Sequence, residues 1–210
     1  GITALFVGPS GTGKTMAAEV IAHALGLDLY KIDLAGVVSK YIGETEKNLE
    51  QIFREGQDSN AILFFDEADA LFGKRAAVQS SNDRHANQEI AYLLQRVEDF
   101  PGVVILASNL RGNIDEAFSR RFQSMVYFPM PDGEQRMRLW RGLLPESSRL
   151  ADDIDLEALA EQHVLSGGAI VNVLRFAVLQ AARSGAVQIN ANHLRVALAK
   201  ELGKEGRTVG

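Results

Sequence analysis

The chain has 210 residues, 46% of them apolar and 23% charged, and a net charge of −5. That size suits one domain, or one domain with a small satellite, and the acidic balance argues against a surface built mainly for nucleic acid. Cysteine is absent, which excludes disulfides and thiolate-bound metals, and no apolar run approaches the length needed to cross a membrane as a helix.

The histidines His23, His85, His163 and His193 lie far apart without zinc-ligand spacing. No signal peptide is apparent, so the expected setting is the cytoplasm. Gly1 stands directly before the first strand, as in a domain cut from a larger protein.

Residues 2–7 (ITALFV) read as a buried strand, and residues 16–25 carry helical apolar spacing that closes at Gly26. Between them, Gly8-Pro9-Ser10-Gly11-Thr12-Gly13-Lys14-Thr15 matches the phosphate-binding loop G-x-x-x-x-G-K-[ST] in full. The chemistry follows from the residue types. Glycines let backbone N–H groups wrap a polyanion, and the helix N-terminus adds its dipole. Lys14 reaches the β- and γ-phosphates, and the Thr15 hydroxyl binds Mg²⁺. Met16, next in the chain, is placed to pack on a base.

Residues 29–33 form a second predicted strand and 44–57 a helix. Residues 61–65 (AILFF) are a continuous apolar strand, as expected where both faces are covered, and run directly into Asp66-Glu67. Beside a phosphate loop, the first carboxylate suits Mg²⁺ and the second suits the attacking water, while Asp69 reads as a residue that caps or packs locally. The polar stretch 73–84 reads as a mobile loop and 87–97 as a helix. Strand 103–107 leads to Asn109, whose amide reaches the γ-phosphate or the water if that strand lies beside the first. Taken alone, an Asn after a strand is equally a turn residue. Strand 125–128 completes an α/β alternation, with chemistry expected at the carboxyl ends of a parallel sheet.

After residue 131 every predicted element is helical: 135–144, 156–162, 169–183 and 192–202, with Asp155 and Asn190 as caps. The chain therefore divides into an α/β nucleotide-binding domain, 1–131, and a small all-α domain, 132–210.

In these motifs the chain resembles the ATPases associated with diverse cellular activities (AAA) of the AAA+ superfamily, nearest its protein-remodelling branch with katanin, spastin and the membrane-fusion ATPases. The resemblance covers residues 2–202. It implies a P-loop NTPase fold with a five-stranded sheet of order 5-1-4-3-2, a helical lid, a homo-hexameric ring and Mg-ATP hydrolysis. Asn109 takes the sensor-1 place. Residues 114–122 (IDEAFSRRF) resemble the second region of homology, so Arg120 and Arg121 are expected at the neighbouring subunit's ATP. Without the resemblance, the pair would read as a solvated basic helix end.

Lys40-Tyr41-Ile42-Gly43-Glu44-Thr45-Glu46 resembles the pore-loop segment, in which Tyr41 and Ile42 grip a polypeptide threaded through the ring; packing of Tyr41 on its own domain is the alternative. Leu139 and Leu143 share a helix face that by resemblance touches adenine, although core packing explains the spacing equally well. Gly168 replaces the Ala of the family's Gly-Ala pair near the nucleotide. Arg175 lies too far into its helix for a second sensor and reads as structural or solvated. The overall look of the chain suggests a bacterial source.

The function so implied is ATP hydrolysis coupled to remodelling, unfolding or threading of a protein. A nucleic-acid-associated loader on the same fold is one rival, disfavoured by Tyr41 and by the missing lid arginine. A ring component that binds nucleotide only structurally is another, disfavoured by Glu67 and the paired arginines.

Overall fold

The computed structural model describes residues 1–37, 44–69, 81–109, 119–144, 150–204 and 206, by backbone alone at 81–87. They cluster into two units: 1–9 with 13–128, and 10–12 with 129–210.

The first unit holds strands β1 (Ile2–Val7), β2 (Leu29–Asp33), β3 (Ile62–Asp66), β4 (Val103–Ser108) and β5 (Ser124–Tyr127), all paired parallel in the order β2-β3-β4-β1-β5. Read from the other edge, this is the expected 5-1-4-3-2. Helices α1 (Lys14–Leu25), α2 (Leu34–Val37), α3 (Glu44–Asp58) and α4 (Ser81–Asp99) complete its described elements.

The apolar run of β3 has a direct structural cause. Ile62 and Phe64 belong to a core with Phe6, Ala18, Ala22 and Ile105 on the α1 side of the sheet. Leu63 and Phe65 pack with Leu49, Phe53, Leu93 and Val97 on the α3 and α4 side. A strand buried on both faces cannot alternate polar and apolar residues, so the run is continuous.

Two elements differ from the sequence reading. Helix α4 begins at Ser81 rather than 87, so 81–84 are helical and not loop. Ser81-Asn82-Asp83 are residue types that favour helix starts, and their polarity reads the same in a loop as in a first turn. The single-turn α2 was not anticipated; at four residues it carries no periodicity to detect.

In the second unit, α5 (Gly133–Leu143), α6 (Leu156–Gln162), α7 (Gly167–Arg183) and α8 (Ala191–Gly203) enclose Trp140, Ile170, Val173, Leu194 and Leu198. Each helix start is capped. Asp132 and Asn190 form capping boxes with Gln135 and His193, Asp155 accepts from the N–H groups of Glu157 and Ala158, and Ser166 accepts from that of Ala169. Both expected caps, Asp155 and Asn190, are in place.

Candidate active site

The carboxyl ends of β1, β3 and β4 meet because the sheet places β4 between the other two. Val7 pairs with Ser108, and Phe65 with Leu106. The Gly8 N–H donates to the Ser108 carbonyl at 3.1 Å, fastening the start of the glycine-rich loop to the end of β4. A side chain does not fit at Gly8, where a Cβ would lie 2.1 Å from the Phe128 carbonyl oxygen. At the loop's far end Gly13 holds φ 101°, a left-handed conformation that glycine adopts without penalty. Gly13 is also the N-cap of α1 and, having no side chain, makes no side-chain cap bond to the helix's leading N–H groups.

Lys14 is the first residue of α1, and its side chain turns back under the loop. It is 6% exposed. Its Nζ donates to the carbonyls of Gly8 at 2.7 Å and Pro9 at 2.9 Å, and to Asn109 Oδ1 at 2.8 Å. Three acceptors match the three protons of an ammonium. Burial pulls its pKa below 10.5, and the nearby negative charges of Asp66 and Asp69 oppose that shift. The condition set for Asn109 is met, since β4 lies beside β1. Its direct bond to Lys14 could not be read from the sequence.

Asp66 ends β3, and Glu67 leaves it with φ 55°, a left-handed conformation unusual for a residue with a Cβ. The Glu67 N–H donates to Asp66 Oδ1 at 2.8 Å, and the Glu67 side chain is exposed. Strain of this kind costs on the order of 1–2 kcal/mol and collects at functional sites. The set suits a polyphosphate with a hard divalent cation: a glycine cradle, a helix start with glycine at its N-cap, one ammonium and two carboxylates beyond. Among the described residues no cluster of three or more His, Cys, Asp or Glu side chains could hold a metal alone. Mg²⁺ needs no such cluster, because it binds through one or two carboxylates together with substrate oxygens and water.

Thr15 is half-buried in the first turn of α1, and Met16 is exposed. Arg120 and Arg121 follow Ser119 on an exposed turn. Arg121 Nη1 pairs with Glu98 Oε1 of the same chain at 3.1 Å. Ser10, Gly11 and Thr12 belong with the second unit, within which the Gly168 N–H donates to the Gly11 carbonyl at 2.9 Å. Also in that unit, Leu139 packs against the helical core, Leu143 is exposed and Arg175 is solvated. Tyr41, Ile42 and residues 114–118 lie outside the described residues.

Comparison with known proteins agrees with this arrangement. The profile of the ATPase family associated with various cellular activities (AAA) matches residues 4–130. The chain is 35% identical over 193 residues to the katanin p60 ATPase-containing subunit A1 of Strongylocentrotus purpuratus, covering 85% of this chain and 37% of that protein. Over 167 residues it is 36% identical to cell division protein C of Sulfolobus acidocaldarius, covering 75% of this chain and 44% of that protein. With the ATP-dependent zinc metalloprotease FtsH of Lachnoclostridium phytofermentans it shares 32% over 198 residues, 90% of this chain and 34% of that protein. The chain thus spans between a third and a half of these relatives. Their spread of organisms does not single out a bacterial source.

Proposed function

The chain belongs to the AAA family of ATPases, and on that premise we propose that it hydrolyses Mg-ATP and couples turnover to remodelling or threading of a protein substrate. One observation carries the reading: Lys14 sits buried under the glycine-rich loop, bonded to the loop's own carbonyls and to the Asn109 amide. A desolvated ammonium with neutral partners is ready to exchange them for phosphate oxygens, which bind a cation more strongly than carbonyls do.

In this reading Gly8, Pro9, Ser10, Gly11, Thr12 and Gly13 present backbone to the phosphates, and Lys14 reaches the β- and γ-positions. Thr15 and Asp66 hold Mg²⁺, which supplies charge neutralisation at the phosphate oxygens. Glu67 orients and polarises the attacking water, its left-handed backbone turning it away from the line of β3. Asn109 senses the γ-phosphate. Met16, Leu139, Leu143 and Gly168 border the base and ribose.

Arg120 and Arg121 act on a neighbour's nucleotide in a homo-hexamer. Arg121 must first leave Glu98, an exposed ion pair worth no more than about 1 kcal/mol. Tyr41 and Ile42 grip an extended polypeptide in the central channel, where an aromatic side chain offers contact area without reading sequence. The whole works in the cytoplasm; among the described residues no helix is long and apolar enough to cross a membrane.

The test is ATP turnover per protomer across a wide range of protein concentration, with Arg120→Ala in parallel. A rate that climbs with concentration, and that Arg120→Ala lowers by roughly 10³-fold or more, supports sites shared in a ring. A flat, nonzero rate leaves the ATPase standing and removes the trans role of the arginines. No turnover at any concentration overturns the enzyme.

A further inference from the structure

Asp69 has no role in the chemistry set out above, and the sequence alone makes it a residue that caps or packs locally. Its surroundings say otherwise. Asp69 Oδ1 accepts a hydrogen bond from the backbone N–H of Asn109 at 3.3 Å, across 40 residues of sequence. One residue earlier, the Ala68 N–H donates to the Ala107 carbonyl at 2.9 Å. These two bonds continue the β3–β4 pairing past the last ladder pair, Phe65 with Leu106. They tie the turn that carries Asp66 and Glu67 to the turn that carries Asn109.

Asn109 is thereby held at two points. Its N–H is on Asp69, and its Oδ1 accepts from Lys14 Nζ at 2.8 Å. An ammonium only donates, so the amide oxygen must face it, and the two Nδ2 protons are left for an oxygen of substrate or water. The direction of those protons depends on the backbone at Asn109. Among the described residues that backbone has no partner strand beyond Ser108, where β4 ends. A carboxylate acceptor for its N–H gives the bond charge assistance.

We propose that Asp69 is a positioning residue of the ATPase site: by holding the Asn109 N–H it fixes the Asn109 side-chain amide against Lys14 and aims its free protons at the reacting phosphate. The inference rests on the ATPase reading of this site. It makes Asp69 act on turnover through Asn109, with little part in holding nucleotide: its hydrogen bond goes to the Asn109 backbone, and on Lys14 it acts as a nearby charge. What the role requires is an acceptor oxygen at this position, and the negative charge is secondary.

Three variants in the full chain separate these statements: Asp69→Ala, Asp69→Asn and Asn109→Ala, with the Asp69→Ala/Asn109→Ala double variant. Turnover at saturating Mg-ATP, affinity for a fluorescent ADP analogue and exchange of the Asn109 amide proton by NMR are measured on each. Asp69→Ala is expected to lower kcat about tenfold, the scale of one charge-assisted hydrogen bond, with nucleotide affinity changed less than about threefold. Asp69→Asn, which keeps an acceptor oxygen, restores most of the rate. Asp69→Ala adds nothing in the Asn109→Ala background, because it acts through the residue already removed.

The Asn109 amide proton exchanges at least about tenfold faster in Asp69→Ala than in the parent or in Asp69→Asn. That measurement uses nucleotide-free protein, so it stands even if the parent shows no turnover, an outcome that would sink the ATPase reading alone. Unchanged exchange and kcat in Asp69→Ala overturn the inference. So do additive losses in the double variant, or an Asp69→Asn as impaired as Asp69→Ala. Should Asp69→Ala fail to fold, Asp69→Leu, which fills a similar volume without an acceptor oxygen, takes its place in the same exchange and rate comparisons.

Discussion

Among the described residues each unit buries one lysine or arginine, and on the proposed function the two serve different ends. Lys14 in the α/β unit is 6% exposed and Arg136 in the helical unit 7%. Arg136 Nε donates to the Ala160 carbonyl at 2.7 Å and its Nη1 to the Pro131 carbonyl at 2.6 Å, joining α6 to the segment that leads into α5. Both residues are thus held by carbonyl groups. The planar fork of Arg136 fits two carbonyls fixed by the fold. Lys14 is a compact charge with rotatable donors, burial has lowered its pKa, and one of its partners is a side-chain amide. Burial of a cation is therefore no sign of function by itself. On the proposed function, what sets Lys14 apart is that its partners are replaceable.

If that contrast is sound, Lys14→Met should remove ATP turnover altogether while costing less unfolding free energy than Arg136→Met, because its bonds to Pro9 and Asn109 are only part-buried and water can replace the ammonium there. An apolar chain of similar length spares the desolvation of a buried charge. Loss of the fold in denaturant titration would make Lys14 a structural cation like Arg136.

Next in size is Glu67→Gln, for which kcat should fall roughly 10²- to 10⁴-fold with nucleotide binding retained. Glu67→Gly should lose activity equally yet unfold about 1 kcal/mol harder, because glycine holds φ 55° without strain. If Glu67→Gly is the less stable protein, the left-handed backbone there stores nothing.

Arg136→Met should show the opposite pattern from Lys14→Met. Stripping the donors from two buried carbonyls is expected to cost about 1–3 kcal/mol in chemical unfolding, with ATP turnover per folded molecule little changed. Arg136→Lys should recover only part of this, since one ammonium cannot serve both carbonyls along the guanidinium's two directions.

Gly168→Ala is the mildest. Its new Cβ would lie 3.0 Å from Gly11 Cα, a crowding that a shift of a few tenths of an ångström relieves. Nucleotide affinity is expected to move by less than about threefold, the scale of well under 1 kcal/mol. A tenfold loss would mean that this chain needs glycine where its family resemblance expects alanine.

Much of the fold was legible because particular residues have one physical solution. Ile62-Leu63-Phe64-Phe65 can only be a strand covered on both faces, and Asp155 and Asn190 stand where helix starts need an acceptor. Ser81-Asn82-Asp83 admits two solutions, loop or first turn, and the loop reading was the wrong one. Asp69 was misread for a related reason: an Asp after a strand has many local uses, and its actual partner is 40 residues away.

By itself the sequence determined the pieces whose chemistry is local. The octapeptide from Gly8 to Thr15 carries its own backbone conformation, and the β3 run delivers Asp66 and Glu67 to a strand end. Only the tertiary structure decided which strand ends are neighbours. Inserting β4 between β1 and β3 brings Asn109 to Lys14 across 95 residues, and to Asp69 across 40. Which parallel strands are neighbours leaves no mark in local periodicity, because any buried strand satisfies any other. The order is settled by how the connecting helices pack on the two faces, and the site's inner bonds follow from that order.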